Sequence, residues 1–81
     1  MTVGETTAVE AHFSVAGEIT PRRFTWRNST LVVEGVGRRW VEGNDRCFAV
    51  LAAGGRPFEL RLDGETLLWR VTHSWVRRPV A

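Results

Sequence analysis

Apolar side chains recur at every second position along most of this chain, and that spacing constrains the fold more than any other feature. Val9, Ala11, Phe13 and Val15 share one parity while Glu10, His12 and Ser14 take the other. Phe24 and Trp26 alternate with Arg23, Thr25 and Arg27, and Phe58, Leu60 and Leu62 alternate with Glu59, Arg61 and Asp63. Leu67, Trp69, Val71, His73 and Trp75 alternate in turn with Leu68, Arg70, Thr72 and Ser74. A period of two places one set on each face of a β-strand and does not suit a helix. Turn signals separate the runs: Ala16-Gly17, Asn28-Ser29, Glu42-Gly43-Asn44-Asp45, Gly54-Gly55 and the hairpin dipeptide Asp63-Gly64. Pro21 fits a strand start but not a central ladder.

Two stretches are less regular. In 30–41, Leu31 and Val33 share a face, but Gly35 and Gly37 follow before Arg38, Arg39 and Trp40. Paired glycines inside a strand pattern mark a bulge or sharp bend, the means by which a small sheet curls over its own core. Residues 47–53 are apolar on both parities and read as a buried strand, although Asn44-Asp45 before and Gly54-Gly55 after would also cap a two-turn helix. The expectation is an all-β domain over 8–78, a six-stranded antiparallel meander curled into a small half-open barrel. A flexible segment at 1–7 and a tail at 79–81 flank it. The alternative is a five-stranded barrel with one short helix at 45–53, the element order of an oligonucleotide-binding barrel.

A chain of 81 residues buries only about 60% of its unfolded surface, so it needs large apolar side chains. Four Trp (26, 40, 69, 75) and four Phe (13, 24, 48, 58) supply them. The single cysteine, Cys47, excludes an intramolecular disulfide, and no apolar run reaches the roughly 18 residues of a membrane span. With no signal-peptide pattern at the start, the expected location is cytoplasmic, with no membrane partner.

All eleven basic residues are Arg. A GC-rich genome suffices to explain that usage, while function offers a sharper reason, because the planar guanidinium fork suits phosphate and carboxylate. Residues 1–21 hold Glu5, Glu10 and Glu18 and no Arg, so the excess of positive charge lies wholly in 22–81. The net charge of +2 falls well short of the dense basic stripe of a dedicated nucleic-acid binder.

Metal binding needs converging ligands, whereas His12 and His73 fall on opposite parities and Cys47 has no partner at a usual spacing. Ser74 points across the sheet from His73, and no nucleophile-elbow motif is present. Gly35-Val36-Gly37-Arg38-Arg39-Trp40 begins like a dinucleotide fingerprint but has Trp where the third Gly belongs, with no helix pattern after it. The expectation is therefore no catalytic residue, no cofactor and no metal.

One constellation stands above background. Arg22 and Arg23 sit beside Phe24, Trp26 and Arg27, Arg38 and Arg39 precede Trp40, and Arg77 and Arg78 follow Trp75. Single-stranded nucleic acid is held by this chemistry, with guanidinium groups on phosphates and aromatic faces under bases. The competing explanation is core aromatics with Arg stems draped over their edges.

The series Pro21-Arg22-Arg23-Phe24-Thr25-Trp26-Arg27, Arg39-Trp40-Val41-Glu42, Phe48-Ala49-Val50, Gly55, Phe58-Glu59-Leu60 and Trp69-Arg70-Val71 resembles a bacterial domain-of-unknown-function family. Its members are small β proteins, and similar segments are attached to divergent Y-family DNA polymerase homologues. The resemblance spans 9–77 and implies a strand at 47–53 and a link to DNA-damage tolerance, without chemistry of its own. The chain departs from the family in lacking Tyr and in a less acidic 42–47 loop.

The expected role is a non-catalytic binding or accessory module, not an enzyme. Its Arg-rich aromatic face would contact single-stranded nucleic acid or a DNA-repair protein partner. The alternatives are a structural domain forming a homodimer through an exposed strand edge such as 57–63, and a small-ligand pocket or minor enzyme inside a half-open barrel.

Overall fold

The computed structural model describes residues 5–73. They form β1 (Glu5–Thr7), β2 (Val9–Phe13), β3 (Ile19–Trp26), β4 (Ser29–Glu42), β5 (Asp45–Ala52), β6 (Arg56–Leu62) and β7 (Trp69–His73). The strands make one antiparallel sheet in the order β1-β7-β6-β5-β4-β3-β2. β1 and β2 are successive parts of one N-terminal stretch broken at Ala8, so a single stretch occupies both margins of the sheet and curls it into the expected barrel-like meander. At the break, Thr25 N–H donates to the Ala8 carbonyl at 3.1 Å, and the Thr7 hydroxyl donates to the Thr25 carbonyl. Counting this stretch as two gives seven strands where the sequence suggested six. Its first part lies in the segment expected to be flexible, yet Glu5, Thr6 and Thr7 pair with Val71, Arg70 and Trp69. No helix among the described residues is long and apolar enough to cross a membrane.

Residues 45–52 are strand, which overturns the helical alternative. Phe48, Val50 and Ala52 point into the core, and Cys47, on the opposite parity, is also buried. On that second parity burial is complete only at Cys47; Ala49 is half-buried and Leu51 is 49% exposed. Phe24, Phe58, Leu60 and Val71 are at most 1% exposed, and the Phe58 ring takes edge contacts from Phe24 at 5.1 Å and Trp26 at 5.2 Å. Such pairs add about 0.5–1.5 kcal/mol each beyond area burial. The register of β4 against β5 shifts twice, between Val33 and Gly35 and between Val36 and Arg39, where the paired glycines pointed to a bend.

Three local expectations are corrected. The β3–β4 turn is Arg27-Asn28, not Asn28-Ser29: both have positive φ (47° and 69°), and Trp26 pairs directly with Ser29. A two-residue hairpin of this kind demands left-handed backbone, which Asn accepts readily. Asp63-Gly64 does not close a two-residue hairpin either. The Asp63 carboxylate accepts the N–H groups of Glu65 at 2.7 Å and Thr66 at 3.0 Å, wrapping a longer loop. Leu67 and Leu68 lie in that loop, exposed, with Leu67 at φ 61°, so β7 begins only at Trp69. The two backbone bonds hold the Asp63 carboxyl below its ordinary pKa, so they persist above that range and loosen as pH falls through it. Finally, 57–63 is not an edge: β6 is paired on one side with β5 and on the other with β7.

Candidate anion-binding seam

β4 is fourteen residues long, but only Ser29–Val32 pairs with β3, against Arg23–Trp26. Beyond Val32 it pairs with β5 alone, while Ile19, Thr20 and Pro21 pair with β2 alone. The two bulges explain the parting, since each extra residue bends and twists the strand that carries it. The result is an open seam holding a cleft of about 190 Å³, with Glu18 and Ile19 on one wall and Arg39, Val41, Arg46 and Phe48 on the other.

Register decides which side chains meet there. Arg39 lies opposite Phe48 and Val41 opposite Arg46, so all four share the face that turns toward the core further down. Arg39 and Arg46 are diagonal neighbours on that face, close enough for long side chains to act on one ligand. The Arg39 Nη2 reaches across the seam to Thr20 Oγ1 at 3.4 Å. Arg38 and Trp40 take the outer face, with the guanidinium 4.9 Å from the ring centroid.

Of the other described arginines, three hold carboxylates, while Arg22, Arg56 and Arg70 make no ion pair among the described residues. Arg23 pairs with Glu10 at 3.0 Å, Arg27 lies 3.8 Å from Glu5, and Arg61 holds both Glu42 and Asp45 at 2.8 Å. Arg38, Arg39 and Arg46 make no ion pair among the described residues. The Arg doublets therefore do not build one continuous face. Arg22 stands at the β2–β3 register shift, Arg23 is neutralised on β3, and Arg27 stacks on Trp26 at 4.6 Å in the turn at the opposite end. Arg39 and Trp40 line the seam, with Arg38 stacked on Trp40 at the outer face; Arg77 and Arg78 lie outside the described residues. Arg46 was missed. Its signal was the short Gly43-Asn44 turn, which places it across from Val41.

Behind the seam, Cys47 is 0% exposed, with its Sγ 4.0 Å from Glu42 Oε1 and Arg61 directly opposite it in register. Burial raises the thiol pKa; Arg61 opposes that, and Glu42, Glu59 and Asp45 reinforce it. A buried, protonated thiol is a poor nucleophile. Aromatic disulfide reagents are expected to leave Cys47 unlabelled in native buffer and to modify it fully in denaturant. Fast native labelling would show that the Arg61–Glu42–Asp45 cover opens freely.

No family model, curated protein or solved structure matches this chain.

Proposed function

We propose that the domain is a non-catalytic binding module that takes up an acidic macromolecule at the seam between β3 and β4. The observation that carries this reading is a pair of arginines at one cleft. Arg23, Arg27 and Arg61 meet carboxylates, whereas Arg39 and Arg46, diagonal neighbours on one face, make no ion pair among the described residues and line an apolar-floored cleft. Guanidinium groups without counter-ions, beside apolar surface, favour a ligand that brings both negative charge and something to bury. The resemblance to domains attached to polymerase homologues makes nucleic acid and DNA-repair proteins the natural sources of such a ligand.

Tryptophan fluorescence of the intact chain, titrated with oligothymidylate and with polyglutamate at low and high salt, tests this. Salt-sensitive binding of at least one probe is expected, weakened about tenfold by the double change Arg39→Ala, Arg46→Ala. Both side chains are exposed, so the variant retains its fold. Equal affinity of variant and parent for both probes would overturn the proposal.

A further inference from the structure

Resting on that reading of the seam, we infer that its occupant is an extended acidic peptide, laid as an added strand along the free edge of β4. The backbone argues first. From Val33 to Glu42, β4 is bonded on one side only, and an unpaired edge presents N–H and C=O groups that another strand uses directly. A nucleic-acid strand gains little from such a row.

The bulges argue next. Both lie before Arg39, and from Arg39 to Glu42 the register with β5 is unbroken. The upstream edge is thereby blunted against indiscriminate pairing, while the stretch beside the cleft keeps regular strand geometry. Side-chain chemistry then selects the peptide. A strand beside β4 turns alternate side chains toward the cleft, where they meet the Arg39 and Arg46 guanidinium groups and the apolar surface of Val41 and Ile19. Acidic residues alternating with aliphatic ones satisfy both. Glu18 on the opposite wall repels carboxylates and turns them toward β4 and β5.

Base stacking is less well served. One face of Trp40 is already covered by Arg38, and the two cleft arginines, Arg39 and Arg46, neutralise few phosphates and so release few counter-ions.

The test uses a peptide of about eight residues alternating Glu and Val, with backbone N-methyl groups placed on one parity or on the other. The unmodified peptide is expected to bind the intact chain. Methylation on the parity facing β4 is expected to weaken it about tenfold or more, with the other parity nearly silent, since only one set of amides pairs with the edge. Arg39→Glu with Arg46→Glu abolishes binding, and Glu18→Gln tightens it a few-fold.

If oligothymidylate binds through Arg39 and Arg46 but the peptide does not, the strand-addition inference falls and the broader reading stands. If neither binds, both fall. Equal tolerance of both methylation patterns overturns strand addition. So does sedimentation showing a dimer of the free chain that the charge reversals dissociate, because the edge then belongs to a second copy.

Discussion

Replacing Phe58 by Ala is expected to cost about 3–5 kcal/mol, the range found for truncating a buried aromatic ring. A chain of this length has a total stability of about 4–12 kcal/mol, so the variant loses about a quarter of it or more and is unfolded at room temperature if the parent lies at the low end of that range. The size of the effect follows from position. Phe58 is 0% exposed on β6, with Phe24 and Trp26 from β3 against its ring, so it joins strands from opposite sides of the barrel. Truncation leaves a void that neither wall can fill without giving up its own pairing. Phe58→Leu keeps most of the volume and should cost roughly 1–1.5 kcal/mol. Urea unfolding followed by tryptophan fluorescence reads both. A loss below about 1.5 kcal/mol for the Ala variant would show that the core collapses around the gap, contrary to this account.

Gly64→Ala is expected to rank second, at about 1–3 kcal/mol. A Cβ at this position would overlap the Asn44 carbonyl oxygen and lie 2.9 Å from its carbonyl carbon. The obstacle is backbone, not a side-chain tip, so the β6–β7 loop must lift away from the β4–β5 hairpin. Lifting it also breaks the bond from Gly64 N–H to Asp45 Oδ1, 3.3 Å long, beside the Arg61–Asp45 pair. The control is Gly35→Ala, where an added methyl meets nothing within 4 Å and φ lies outside the left-handed region. That change should stay within about 0.5 kcal/mol. Thermal melts of both variants decide it: similar losses would mean that the contact with Asn44 yields freely.

Much of the barrel was legible because its grammar is local. The alternation in 22–27 and 58–62 marks strands whose inward parity does form the core, Val9 and Ala11 of the first run pack against it, and Gly35 and Gly37 announce the bulges of β4. Legibility failed where a long-range consequence replaced a local rule. Phe13 keeps the inward parity opposite Ile19 yet is 61% exposed. Leu67 keeps the alternation yet sits in a loop that the Asp63 carboxylate shapes. The seam was least visible. Its cause is two register shifts in one strand, and its chemistry depends on which arginines find carboxylates elsewhere in the fold. Doublets alone do not separate a neutralised Arg23 from an unpaired Arg39. Only cross-strand register does so, and the same register brings in Arg46 from the neighbouring strand.

The double duty of the N-terminal stretch has a consequence for how the fold is reached and lost. Every strand pairing among the described residues joins chain neighbours except β1 with β7, which brings Glu5 to Val71. The meander from β2 to β7 therefore assembles through short-range closures, and one distant pairing fastens it at the end. Release of that fastening frees the outer side of β7 while the meander keeps its own ladders, so the pairing of β1 with β7 acts as a latch joined to the meander through Ala8. A protease cut there would sever the latch from the meander and convert a closed wall into an open sheet with a new margin for pairing.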